Sequence, residues 1–194
     1  TNKKSIKNAF KQICEKFGGI DILISNAGNA TSGMMLELDD KKLRKAFELN
    51  FFAHKSFAVE AAKIMKLQNR GGQILFNISK QAINPGSNMG AYGLPKATTM
   101  FLMRQLALEL GSNKIRVNGI NADRIRSGLL TDNFISERSK NRGISEQVYM
   151  EGNLLKQEVE AKHVAEGFRA LAQMKRTTGH ILTVDGGNTA AELR

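Results

Sequence analysis

Four short apolar runs alternate with stretches of helical periodicity along these 194 residues, and that alternation leaves few architectures open. Residues 20–24, 74–78, 114–120 and 180–184 have strand length and are bounded by glycine, asparagine, serine or aspartate. Amphipathic patterns at 38–67, 91–110 and 161–172 lie between them, and another at 2–17 precedes the first. Strands that each return through a helix pair in parallel, so the expected class is α/β with a parallel sheet.

One junction, at residues 73–111, is richer in chemistry than the others. An apolar run ends in Ser79, a loop rich in glycine, asparagine and proline follows, and a helical pattern then opens with Tyr92 and Lys96. Four residues apart on a helix, Tyr92 and Lys96 share a face with Cβ atoms ~5–6 Å apart. A serine at the carboxyl end of a strand sits where α/β sheets bind ligands. The trio suits proton transfer at a carbonyl or alcohol oxygen. A phenol with an unperturbed pKa of ~10 is a poor base near neutrality, and a neighbouring ammonium lowers that value. Lys96 would supply the charge, and Ser79 would hold the substrate oxygen within reach of Tyr92. A Tyr-x-x-x-Lys taken alone is more often a solvated pair. Pro95 lies between the two and is best tolerated in a first turn, so the helix is expected to begin close to Tyr92.

Composition narrows the setting. With 194 residues, 41% of them hydrophobic, the chain can bury one sizeable core and reads as one domain over 1–194. No apolar run reaches the length of a membrane span, and no signal-peptide pattern opens the sequence. A single cysteine, Cys14, excludes an internal disulfide and fits a reducing, cytoplasmic compartment. His54, His163 and His180 are scattered without ligand spacing, so no metal site is expected. The formal net charge of +11 raises the question of nucleic acid. The basic residues are mixed with acids along the chain and few aromatics accompany them, so a solvated basic surface is the better reading. A non-catalytic interaction or scaffold domain that binds acidic partners through that surface is the rival functional class.

The Asn-x-Ser at Asn77 to Ser79, with the tyrosine of Tyr-x-x-x-Lys thirteen residues beyond Ser79, resembles the signature of the short-chain dehydrogenase/reductase family. FGGIDILISNAG at 17–28 resembles that family's fourth-strand motif, with Ser25 in place of its first asparagine. Leu-Asn-Phe-Phe puts Asn50 at the family's mid-helix asparagine, and RVNGI at 116–120 and TGHILTVDGG at 178–187 match later strands. The resemblance implies a Rossmann-like, doubly wound parallel sheet and hydride transfer between NAD or NADP and a small carbonyl or alcohol. It implies Tyr92 as the acid–base, Lys96 as the group that lowers its pKa and holds ribose, Ser79 as the donor to substrate, and Asn50 as the anchor of a proton relay. Cofactor contacts are implied for Asn26, Ala27, Gly28, Tyr92, Lys96 and Ile125.

The departures from that pattern are as informative. Where the family shows Pro-Gly-x-x-x-Thr, residues 122–127 read Ala-Asp-Arg-Ile-Arg-Ser, which sets Arg124 and Arg126 near the site. With Lys80, which stands where many members have a second serine, they are candidate substrate contacts; solvated arginines are the equal alternative. Residues 127–152 match the family's variable substrate lid. The family's opening strand and Gly-x-x-x-Gly-x-Gly turn, with its selector of NAD against NADP, have no counterpart, so the fold is expected to be N-terminally incomplete. Either the sequence is part of a longer chain or it is a natural short protein. The first is expected, because Asn50, Ser79, Tyr92 and Lys96 persist. By itself the chain is expected to bind a dinucleotide weakly, because a glycine turn and helix N-terminus supply most of the compensation for a pyrophosphate.

A narrower likeness is carried by NADRIRSGLL at 121–130 and RTTGHILTVDGGNTAAELR at 176–194. They resemble the C-terminal dehydrogenase region of the bifunctional class II aldolase/short-chain dehydrogenases, the rhamnulose-1-phosphate aldolase/alcohol dehydrogenase type. That likeness implies an upstream aldolase domain, a preference for NAD, and oxidation of lactaldehyde to lactate. The helices at 38–67 and 91–110 carry more apolar residues than one sheet face can cover, so a homo-oligomer, dimer or tetramer, is expected.

Overall fold

The computed structural model describes residues 2–189; Thr1 and residues 190–194, the end of the last motif above, lie outside the described residues. Four strands, β1 (Ile22–Ser25), β2 (Gly72–Asn77), β3 (Ile115–Ala122) and β4 (Ile181–Val184), pair in parallel in that order. All four expected strands are present, and β3 runs two residues further than its apolar pattern, to Ala122. That extension delivers the next loop to the carboxyl edge of the sheet.

A period of two sorts the side chains onto the two faces. Ile74, Phe76 and Ile78 enter a core with α1 (Lys3–Phe17), α3 (His54–Gln68) and α4 (Gly90–Leu110). Leu75, between them, packs with Ile120 on the opposite face against Val164, Phe168 and Leu171 of α7 (Ala161–Gln173). Burial on both faces explains why the run at 74–78 is continuously apolar. The architecture is thus the Rossmann-like α/β fold that the alternation implies. Among the described residues, no helix is long and apolar enough to cross a membrane.

The long helical pattern over 38–67 is realised with an interruption. It runs as α2 (Asp40–Phe47), a π-helical turn (Glu48–Ala53) and then α3. Short π turns inside α-helices recur at functional sites, and this one contains the fully buried Asn50. The widened turn leaves the Asn50 carbonyl to an outside donor, the Thr99 hydroxyl of α4 at 2.7 Å. Helix α4 itself begins at Gly90, two residues before Tyr92, so Pro95 falls in its second turn rather than its first. Its ring nitrogen cannot donate to the carbonyl four residues back, that of Ala91. Residues 127–152 fold into α5 (Asp132–Lys140) and α6 (Glu146–Met150) around a small core of Leu130, Ile135, Tyr149 and Met150.

Thr99→Val keeps the side-chain shape and removes the hydroxyl that satisfies the π turn. An unsatisfied buried acceptor costs ~1–3 kcal/mol, so the urea midpoint should fall by that equivalent with an unchanged m value. An unaltered midpoint would show that the Asn50 carbonyl does not depend on Thr99.

Candidate active site

The end of β2 and the start of α4 are brought together by a turn that only glycine permits. Ser79 leads into a 3-10 turn (Lys80–Ala82), and the Gln81 carbonyl lies so close to α4 that a Cβ on Gly93 would stand 2.8 Å from its oxygen. Glycine next to Tyr92 therefore lets the helix approach, and the Tyr92 hydroxyl hydrogen-bonds the Ser79 side chain. One turn on, the Lys96 ammonium donates to the Asn77 carbonyl at 2.8 Å and lies 5.8 Å from the Tyr92 ring centroid. Asn77 in turn donates from Nδ2 to Asn26 Oδ1 at 2.6 Å. Asn50 clamps the same loop from the other side, with Nδ2 donating to the Asn29 carbonyl at 2.9 Å and Oδ1 accepting from the Asn29 amide at 3.2 Å.

These groups border a cavity of about 760 Å³ whose lining includes Asn26, Ala27, Gly28, Ser79, Tyr92 and Ile125. Lys96 and Asn50 lie beneath its wall, 2% and 0% exposed. A Cβ on Gly28 would stand 3.1 Å from Asn50 Oδ1 and 3.7 Å from Lys96 Nζ. The bare backbone there keeps open a polar cradle suited to a sugar hydroxyl. The residues present therefore fit the nicotinamide-ribose half of a dinucleotide.

The electrostatics depart from expectation at Tyr92. Its pKa is raised above 10.0, first by burial and further by the charge of Asp123, while the bond with Ser79 pulls the other way. The Lys96 ammonium is turned to the Asn77 carbonyl and is itself destabilised by burial. The Lys96 pKa falls from 10.5 to about 8. Tyr92 is therefore held as the neutral phenol, a proton donor before it is a base.

The remaining candidates divide. Arg124 reaches the cavity, with Nη1 donating to the carbonyls of Tyr149 at 2.7 Å and Gly152 at 3.1 Å. Its backbone adopts φ of 54°, a left-handed conformation that costs a non-glycine residue on the order of 1–3 kcal/mol. Lys80 borders a smaller adjoining recess rather than the main cavity. Arg126 borders neither; it is exposed and held by Asp132 at 2.6 Å and Glu158 at 2.8 Å.

Sequence reasoning missed three participants. Asn77 joins Lys96 to Asn26, and the Asn-x-Ser pattern that contained it gave no hint of that bridge. Asp123 registered only as a missing glycine. His54 seemed an isolated histidine on an apolar face, yet its Nδ1 lies 2.6 Å from Ser25 Oγ, so the substituted strand-end serine and the histidine form a pair. His54 is 2% exposed, and Nε2 makes no hydrogen bond among the described residues. Burial first, and the nearby Lys96 charge second, lower its pKa from 6.5 to about 4.

Comparison with known proteins decides the family. A family profile described as enoyl-(acyl carrier protein) reductase matches residues 1–189. Short-chain dehydrogenase reductase 5 of Arabidopsis thaliana is 30% identical across 100% of this chain and 74% of its own length. The chain belongs to the short-chain dehydrogenase/reductase family. An uncharacterized oxidoreductase of Bacillus subtilis, YuxG, is 34% identical over 100% of the chain, which spans only 29% of that relative's length. Among solved structures, ElxO with NADP bound superposes with a TM-score of 0.86 at 23% identity, covering 97% of this chain and 75% of its own, a likeness of fold.

The buried neutral His54 has a stability consequence. Its folded pKa lies below its unfolded one, so its contribution is fully present above pH 6.5 and is lost as pH falls through about 4. The 2.5-unit gap between these values corresponds to ~3 kcal/mol. Urea titrations of the wild type and His54→Gln between pH 7 and 4 should show a steeper acid loss in the wild type. Parallel curves would mean that His54 is not buried neutral.

Proposed function

We propose that this short-chain dehydrogenase/reductase chain carries the acid–base half of an NAD(P)-dependent oxidoreductase acting on a small alcohol or carbonyl. The observation that carries the reading is the Ser79–Tyr92 hydrogen bond at the cavity wall with the Lys96 ammonium buried beneath. NAD(P)H, held beside Asn26, Ala27 and Gly28 at the cavity wall, would supply a hydride to the carbonyl carbon. Ser79 hydrogen-bonds the carbonyl oxygen, and the Tyr92 O–H bond breaks as its proton passes to that oxygen. In oxidation the hydroxyl proton would pass to the Tyr92 phenolate as the C–H bond breaks and its hydride is taken up by NAD(P)+. Lys96, cationic below about pH 8, stabilises the transient phenolate, and Asn50 holds the loop at Asn29 in place.

The finer reading rests on the narrower resemblance: lactaldehyde oxidised to lactate, NAD preferred, and an aldolase domain upstream in the full protein. It includes 127–152 as a lid, which is supported by the part that Leu129, Leu130 and Phe134 take in the cavity wall. It includes weak dinucleotide binding by these 194 residues alone, since they contain no Gly-x-x-x-Gly-x-Gly turn. It also includes a homo-oligomer formed through α4, where Leu94, Phe101 and Leu108 are 46%, 68% and 79% exposed.

Two measurements test the proposal. Tyr92→Phe in the full protein should lower kcat/KM for carbonyl reduction by ~10²–10⁴, the range for general acid–base groups; wild-type turnover would overturn the assignment. In sedimentation at micromolar concentration, Phe101→Glu with Leu108→Glu should convert the oligomer to monomer. A wild type that sediments as a monomer would overturn the assembly.

A further inference from the structure

Beside the main cavity lies a second recess of about 250 Å³, bordered by Lys80, Arg124, Arg138 and Arg142, with Asp123 as its one carboxylate. Asp123, Arg124, Arg138 and Tyr149 border both spaces, so the recess adjoins the cavity lined by Tyr92 and Ser79. Among the described residues, Arg124, Arg138 and Arg142 face the single carboxylate of Asp123, which leaves a local excess of positive charge beside that cavity. The recess is partly enclosed: Lys80 is 8% exposed and the Arg124 side chain 17%, while Arg138 is half-buried and Arg142 exposed.

Among the described residues the carboxylate engages only part of this group. Asp123 lies 3.5 Å from Arg124 Nε and 3.9 Å from Lys80 Nζ, and it also accepts from Asn188 Nδ2 at 2.7 Å. Arg138 and Arg142 have no carboxylate within 4.0 Å among the described residues. Instead Arg138 lies over the Phe134 ring, and Arg124 and Arg142 lie 4.9 Å and 5.2 Å from the centroid of the same Tyr149 ring. Two guanidinium groups gathered at one buried aromatic repel each other until an anion joins them. Arg124 already donates Nη1 to the Tyr149 and Gly152 carbonyls and faces Asp123 through Nε, which fixes it as the rear of the recess. Arg138 and Arg142 stack on rings and so leave their N–H edges to a ligand, and those edges match the oxygens of a carboxylate or phosphate.

We infer that this recess binds an oxyanion group, carboxylate or phosphate, on the substrate, so that the preferred substrate is a small alcohol or carbonyl compound with an anionic end. This rests on the oxidoreductase reading above and narrows its small alcohol or carbonyl class, and it competes with the lactaldehyde reading, because lactaldehyde has no such group. Arg138 and Arg142 are then specificity residues, remote from the reacting bond.

The test compares neutral and charged partners in the full protein: glyceraldehyde with glyceraldehyde 3-phosphate, and methyl acetoacetate with acetoacetate. The charged member of at least one pair should have a KM at least tenfold lower than its neutral partner, and which pair responds identifies phosphate or carboxylate. Arg138→Gln and Arg142→Gln should each reduce that preference at least tenfold, while Arg142→Lys keeps part of it. Inorganic phosphate should bind by calorimetry and compete with the charged substrate. Equal KM values within both pairs, with no phosphate binding, overturn the inference and leave the oxidoreductase reading standing, since hydride transfer was observed. Phosphate binding that depends on Arg142, with no hydride transfer to any compound, overturns the oxidoreductase reading and leaves the anion recess. Neither binding nor turnover overturns both.

Discussion

A buried ammonium is the constraint around which the site is arranged. Lys96 is 2% exposed, and among the described residues its direct hydrogen bond is to the Asn77 carbonyl. A charge taken from water costs several kcal/mol unless it is compensated, and one carbonyl compensates only in part. Burial accordingly depresses the Lys96 pKa to about 8. The other polar elements answer to this charge. Asn77 is fixed by Asn26, the Asn26–Gly28 loop stays open because Gly28 has no side chain, and His54 is kept neutral partly by the field of Lys96. Strand β2, the loop after β1, the π turn and α4 thus meet at one polar cluster between apolar layers.

The scaffold was legible because burial on both sheet faces imposes its own composition. Runs such as 74–78 could only be interior strands, and the helical patterns between them left a parallel sheet as the simple solution. Ser79, Tyr92 and Lys96 could be picked out from spacing and strand-end position, and Asn50 only through the family resemblance; the fold brings all four to one place. The rest was hidden for identifiable reasons. A π turn adds one residue to a helical turn without breaking apolar periodicity, so residues 38–67 read as uninterrupted. The His54–Ser25 pair joins residues 29 apart through a sheet-to-helix contact that no local pattern encodes. The direction of the Tyr92 pKa depends on where the Lys96 ammonium points, which the spacing of the two residues does not set. Arg126 and Arg142 are equally basic on paper. Glu158 and Asp132 engage the first, and only the fold of 127–152 brings the second to the recess.

The loop at 122–127, where the sequence leaves the family pattern, is where the catalytic candidates and the cationic recess meet. A glycine in place of Asp123 would carry no charge; the carboxylate raises the Tyr92 pKa and draws on Arg124 and Lys80. These effects are linked. An oxyanion entering the recess competes with Asp123 for the two cations, and the less those cations screen Asp123, the more its charge disfavours the phenolate. Occupancy of the proposed recess would therefore raise the Tyr92 pKa further, keeping the residue protonated while making it a weaker proton donor to a carbonyl oxygen. The strain at Arg124 fits the same arrangement. Its side chain is tied to the carbonyls of Tyr149 and Gly152, bonds that can offset the cost of the left-handed backbone while keeping the guanidinium beside Asp123.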